Sequence, residues 1–399
     1  MRNYRRRRLR ATPPGRTSMS TSLALARERM VERAVRSRSV LSRGLPHWAS
    51  GETGDWTVTP DGDWTGGAYV GELWLAHAFD PARVSAAHAR AALDLMLPRL
   101  DHRTAFKGFG FYFGAAAATR LVDHAGTDMI ALRAARVLTD MYDERLGLIP
   151  LGEDAEEASS VGAAESSIDS LQAIALLFWA ADHTGDETFD KIATRHLERV
   201  LEIHVRQDGS VVQSSTLDPE DGRVLRTHTH KGYDDRSTWG RAQGWAMLYA
   251  AHAAVVRPED PRWRDVARRT IDWWIAHVPE DLIAFWDFDD PAIPDTDRDT
   301  AATTMAIAAA LRLAHALGED GAPYRDFAER TAHAVVDRYL TPTDDTDGRP
   351  AGMLTGGCFT RRGTVRRQDA ATNVELVFGS YFLLESLMVL TGVVPAGRI

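Results

Sequence analysis

The sequence predicts an all-α fold, an (α/α)6 barrel in which six helical hairpins close into a ring, with a small β-hairpin on the loop face. Three observations carry this. Apolar residues recur at spacings of three and four in twelve stretches. The connections between these stretches alternate between about three to seven residues and much longer segments. One region, 206–230, breaks the helical rule.

The twelve stretches are 20–43, 67–79, 83–98, 106–124, 127–142, 166–183, 187–205, 238–255, 260–277, 299–317, 323–340 and 373–392. Several carry start or stop signals. Asp80-Pro81 precedes the third, and Thr184-Gly185-Asp186 ends one helix and begins the next. Pro258-Glu259-Asp260-Pro261 stands before Trp263, and Gly318-Glu319-Asp320-Gly321 separates the tenth from the eleventh. The long connections, 44–66, 143–165, 206–237, 278–298 and 341–372, are rich in Gly, Asp and aromatics. Short turns make hairpins, so the long connections gather on one face, where function is expected. Within 206–230, Val205 to Gln213 reads as strand, turn, strand. Asp218 to Gly222 is a turn and Arg226 to His230 a short strand.

The chain has 399 residues, 44% hydrophobic and 26% charged, enough for a large core. A net charge of −9 argues against nucleic acid or an acidic membrane surface as a partner. The single cysteine, Cys358, excludes a disulfide framework and a thiolate-rich metal site. Residues 1–18 are basic and broken by prolines, without the apolar segment of an export signal. They read as a disordered tail, or as extra residues from an early start codon, before one domain over 19–399. No apolar run approaches the ~20 residues that span a bilayer. A cytoplasmic monomer or homodimer is expected.

Chemistry concentrates in Gly232-Tyr233-Asp234-Asp235-Arg236-Ser237-Thr238-Trp239-Gly240-Arg241-Ala242-Gln243-Gly244-Trp245. Indoles offer flat apolar faces, and Arg and Asp offer fixed polar contacts, a mixture suited to a polyhydroxylated ring. The wider aromatic set is Trp56, Trp64, Tyr69, Trp74, Phe109, Phe111, Trp239, Trp245 and Trp286. Those on loops or first turns (Trp56, Trp64, Trp239, Trp286) suit sugar stacking; the rest suit a core. Arg241 falls on the first turn of a helix, where positive charge opposes the dipole. A neighbouring Asp or a substrate carboxylate must hold it. Asp169 opens an apolar helix. It is either a capping residue or, since Ser166 or Ser167 can cap, a buried general acid. His228, His230 and Lys231 form a polar cluster, but no third ligand completes a metal site. No cofactor or metal is implied.

These residues resemble a known family. The segments Trp64 to Leu75, Ile168-Asp169-Ser170, Gly232 to Ala246, Phe285 to Asp289 and Gly379 to Leu387 are similar, in order over ~25–395, to the unsaturated glucuronyl hydrolases of glycoside hydrolase family 88. The unsaturated rhamnogalacturonyl hydrolases are relatives. The resemblance implies an (α/α)6 barrel and a reaction unlike the two-carboxylate displacement of ordinary glycosidases. An aspartate protonates an enol ether between sugar carbons four and five, water adds at carbon five, and the hemiketal opens to release the leaving sugar. By resemblance Asp169 is that acid/base, and Trp239, Arg241 and Trp245 line the substrate subsite; Trp64, Gly108, Gln213, His230 and Trp286 are further candidates for substrate binding, and Lys231 a second candidate for catalysis.

Departures from the pattern matter as much. The family's second aspartate, in a His-Asp-x-Gly-Phe motif, falls on Gly108 of Lys107-Gly108-Phe109-Gly110-Phe111. A family histidine falls on Gln213, and a family glutamine on Lys231. An Asp169 relieved of a like charge and close to Lys231 ionises more readily. Three readings therefore stand: a hydrolase of an unsaturated uronyl sugar; an eliminase, dehydratase or hydratase using Asp169 with Lys231; and a catalytically silent sugar-binding protein.

Overall fold

The computed structural model describes residues 16–398 except 159–161, 163, 343–346 and 363–370. The tail expected over 1–18 therefore lies outside the described residues as far as 15, and 16–18 form the first turn of a helix. Among the described residues twelve helices stand at the predicted places. They are α1 (Arg16–Ser37), α2 (Gly66–Phe79), α3 (Ala86–Asp94), α4 (Lys107–Phe111, a π turn at Tyr112–Ala116, then Ala117–Leu121) and α5 (Asp128–Met141). Next come α6 (a tight 3-10 turn Ile168–Gln172, then Ala173–Thr184), α7 (Glu187–His204), α8 (Gly240–Val256) and α9 (Pro261–His277). The last are α10 (Thr300–Leu317), α11 (Ala322–Tyr339) and α12 (Val377–Leu390).

The even-numbered helices form a closed inner ring. Helix α2 packs on α4, α4 on α6, α6 on α8, α8 on α10, α10 on α12, and α12 on α2. The odd-numbered helices pack outside it. This is the (α/α)6 barrel. An inner helix touches outer helices on one side and the barrel axis on the other. Helices α2, α6 and α12 are accordingly buried along almost their whole length. Outer helices α5, α7 and α9 keep one apolar stripe and one charged face. The segment Thr300–Tyr339 is long and apolar enough to cross a membrane, but it is the α10–α11 hairpin and is mostly buried within the barrel.

Caps account for the helix ends. Gly185 takes a left-handed φ of 74° at the end of α6, and Asp186 then accepts from Thr188 N at the start of α7. Asp260 caps α9 through Arg262 N, and Asp299 caps α10 through the amides of Ala301 and Ala302.

The short links join inner helix to outer helix at one end, so all six inner N-termini open on the face with the long connections. Two small antiparallel sheets sit there. One runs β3 (Ser166–Ser167), β4 (Ser214–Leu217), β5 (Val224–His228). This is the expected hairpin moved along the chain: 205–213 contributes only a single bridge, Val205 to Val211. The other sheet pairs β1 (Leu45–Ala49) with β2 (Trp56–Thr59) and β6 (Glu375–Leu376), and nothing in the sequence predicted it.

Candidate active site

Asp169 lies on the 3-10 turn that opens α6 and is 5% exposed. Ser167 holds it from both sides: its hydroxyl donates to Asp169 Oδ2 at 2.9 Å, and its oxygen accepts from Asp169 N. The capping duty that could have explained Asp169 thus belongs to Ser167. Two histidines of α7 fix this turn. His196 accepts from Ile149 N at 3.0 Å on Nδ1 and faces Ser170 O at 3.1 Å with Nε2. His204 faces Val212 O with Nδ1 and the Ser166 hydroxyl with Nε2. Burial drops both rings to a pKa of about 4, so they are neutral at pH 7 and each ring can both donate and accept.

The aromatic rings pack into one buried cluster, with Trp64 8%, Trp239 2% and Trp245 1% exposed. Trp64 meets Phe109 and Phe378 at 5.1 Å each and Phe359 at 6.0 Å. Trp245 meets Phe109 at 4.7 Å and Phe378 at 6.2 Å. Trp239 joins through Lys231, whose ammonium lies 5.6 Å from its ring, 5.8 Å from Trp64 and 6.0 Å from Phe359. The indole N–H groups of Trp239 and Trp245 are buried and make no hydrogen bond with the protein. The same holds for Gln172 Oε1, on the same turn as Asp169, and for the Tyr249 hydroxyl, close enough to feel the Asp169 charge. Buried polar groups are rarely left so.

The structure brings Trp64, Gln213, His230, Lys231, Trp239, Arg241 and Trp245 together, but two of them, Arg241 and Gln213, are spent on protein partners. Arg241 pairs with Asp299 at 2.6 Å, donates to the carbonyls of Cys358 and Phe359, and lies 4.5 Å over the Trp239 ring. Of the two partners its helix position required, the neighbouring Asp is the one present. Burial raises the Asp299 pKa and Arg241 works against that rise. Removing the guanidinium leaves a buried carboxylate without its partner. Arg241→Ala is therefore expected to lose about 3 to 5 kcal/mol of stability, measured by urea unfolding. Wild-type stability with a raised KM would instead make Arg241 a substrate contact. Gln213 is a backbone clamp: its Oε1 accepts from the Thr229 hydroxyl at 2.7 Å and from the amides of His230 and Lys231 at 3.2 and 3.1 Å. Trp286, expected as a stacking platform, differs from Trp239 and Trp245 in that its N–H is already spent, donating to Asp290 at 2.7 Å. Trp56 is tied to Ser37 and capped by Arg33.

Two further expectations need correction. Lys231 is ion-paired with Glu157 and makes no ion pair with Asp169, which removes the pair that an elimination reading required. Gly108 is more than a deleted carboxylate. A Cβ there would overlap the carbonyl and side-chain oxygens of Gln172 and come within 2.7 Å of its carbonyl carbon. The site also holds acids that the sequence reading passed over. Glu157 takes the Lys231 ammonium and lies 2.8 Å from His230 Nε2. Burial raises its pKa, but His230 and Lys231 more than reverse that and hold it below the usual carboxylate range. Its neighbour Glu156, paired with Arg99, is pushed up by burial and by Asp63. His228 has its own carboxylate, Glu165, at 3.1 Å. Among the described residues no group of three His, Cys, Asp or Glu could hold a metal.

No protein-family model matches the chain. It is 30% identical over 359 residues to an unsaturated glucuronyl hydrolase from Bacillus sp. (strain GL1), covering 86% of this chain and 90% of that protein. It is 26% identical to an unsaturated chondroitin disaccharide hydrolase from Streptococcus agalactiae serotype III, covering 83% and 82%. The solved structure of unsaturated glucuronyl hydrolase from Bacillus sp. GL1 superposes with a TM-score of 0.80 at 27% identity, over 92% of this chain and 96% of that one.

Proposed function

The chain belongs to the unsaturated glucuronyl hydrolase family, and from that premise we propose that it hydrates the 4,5 double bond of an unsaturated uronyl sugar with Asp169 as acid and base. It is a glycoside hydrolase. The sugar lies on the lining of Trp64, Trp239 and Trp245. Asp169 protonates carbon four, and the electron pair of the enol ether forms the new C–H bond. Positive charge then rests on carbon five and the ring oxygen. Water adds at carbon five and returns its proton to Asp169. The hemiketal opens to a ketone, and the hemiacetal left at carbon one expels the leaving sugar. One carboxyl serves both steps.

The observation that carries the proposal is a set of unpartnered buried groups: the Trp239 and Trp245 N–H donors of the aromatic cluster, and the Gln172 oxygen on the turn that bears Asp169. An apolar lining with a few convergent unpaired polar groups suits a sugar's ring faces and hydroxyls. Arg241 acts as a positioning residue, lying over Trp239 and holding the 358–359 segment through its carbonyls. The test is incubation with an unsaturated glucuronyl disaccharide. Loss of the ultraviolet absorbance of the conjugated double bond, with release of one free saturated sugar per bond lost, is expected. Loss of water from a saturated sugar without cleavage would overturn the proposal.

A further inference from the structure

The carboxylate of Glu157 sits among groups that belong to the sugar-lining surface. One oxygen takes the Lys231 ammonium and the other lies 2.8 Å from His230 Nε2. The Lys231 ammonium is within 6.0 Å of Trp64, Trp239 and Phe359. The two halves of this contact have different origins. Lys231 and His230 follow β5 and are fixed by the Gln213 carboxamide, which binds both of their amides. His230 is also held by the Ser214 hydroxyl at 3.2 Å. The cationic half is therefore part of the frame. Glu157 comes from the connection between α5 and β3, outside any helix or strand. Arg241 contrasts with this, since its acid, Asp299, is the cap of α10.

We propose that Lys231 and His230 form the subsite for the carboxylate of the sugar, and that Glu157 is its internal occupant in the free protein, displaced when substrate binds. The uronate identity of the sugar rests on the function proposed above; the anion subsite itself does not. The Glu157 side chain shows what the subsite accepts: a planar carboxylate with one oxygen on the ammonium and one on the imidazole, beside aromatic faces. Burying an ammonium there requires an anion, and either Glu157 or the ligand supplies it. The two compete, so substrate affinity in the intact protein is lowered by the displaced contact.

Calorimetry with D-glucuronate and D-glucose tests this without any turnover. Glu157→Gln is expected to bind glucuronate at least 10-fold more tightly than wild type, with glucose affinity unchanged. Lys231→Met added to Glu157→Gln removes the gain. Unchanged or weaker glucuronate binding by Glu157→Gln, or an equal gain for glucose, overturns the proposal. Should Glu157→Gln fold poorly, Lys231→Met alone decides: loss of glucuronate binding with glucose retained supports the subsite, and retained glucuronate binding ends it. A protein that binds glucuronate as expected but cleaves no unsaturated disaccharide would refute the hydrolase reading alone.

Discussion

Asp169→Asn is expected to lower turnover of an unsaturated glucuronyl disaccharide by about 1,000-fold, the scale of a lost general acid, while the protein stays folded. Asparagine matches the shape of aspartate. Its side-chain carbonyl oxygen can still accept from the Ser167 hydroxyl, and the main-chain N–H of residue 169 still donates to Ser167 Oγ. The 3-10 turn, held by His196 at Ser170 O, with His204 holding Ser166 just before it, keeps its place. What the amide cannot do is give a proton to carbon four or receive one from water. The variant should therefore bind substrate and leave the double-bond absorbance unchanged. Full turnover by a folded variant would remove Asp169 from the reaction. Unfolding would make it a structural residue of the α6 turn. A melting curve beside the absorbance assay separates these outcomes.

The architecture was legible because it is written locally. Each outer helix shows an apolar stripe, and the capping residues at Asp186, Asp260 and Asp299 mark starts within a residue or two. Inner helices are apolar nearly all round, and the spacing of three and four together with the turn signals between stretches still picked them out. The β1–β2–β6 sheet was not legible. Its strands are two to five residues long, one contains Pro46, and β6 lies far along the chain from β1.

The candidate site was legible where local sequence alone singles out a residue: Trp64 and Trp239, which the structure gathers around Lys231, Trp245, which packs in the same aromatic cluster, and Asp169 on its 3-10 turn. It was not where a distant partner decides. The position of Arg241 called for an acid without saying whose, and Asp299, 58 residues on, answers. Trp286 lies on a loop, yet Asp290 and Thr296 fold over its N–H. Glu157 stands in an acidic run, Glu153-Asp154-Ala155-Glu156-Glu157, that reads as a solvated loop. Its partner His230 is 73 residues away. The one available signal was Lys231 itself, a cation among aromatic residues that needed an anion.

The second large effect concerns Gly108, where the family motif has aspartate. Reinstating that residue looks like repair, and a simple deletion would predict higher activity. The packing predicts the reverse. The first turn of α4 rests directly on the turn of α6 that bears Asp169. Space for a Cβ at 108 is already taken by the main-chain carbonyl of Gln172 and by its side-chain oxygen. The side chain could swing away, but the carbonyl belongs to the helix and moves only if the turn moves. The carboxamide is also anchored, its NH2 donating to Ala105 O. Gly108→Asp should therefore push α4 from α6, at a cost of about 3 kcal/mol, and tilt Asp169 away from the sugar. Gly108→Ala supplies the control, because the clash begins at Cβ. Both variants should melt lower than wild type and turn over more slowly, with alanine nearly as damaging as aspartate. If Gly108→Asp gains activity while Gly108→Ala does not, the carboxylate had room after all, and the close contact of α4 with the Asp169 turn is not what holds this site in shape.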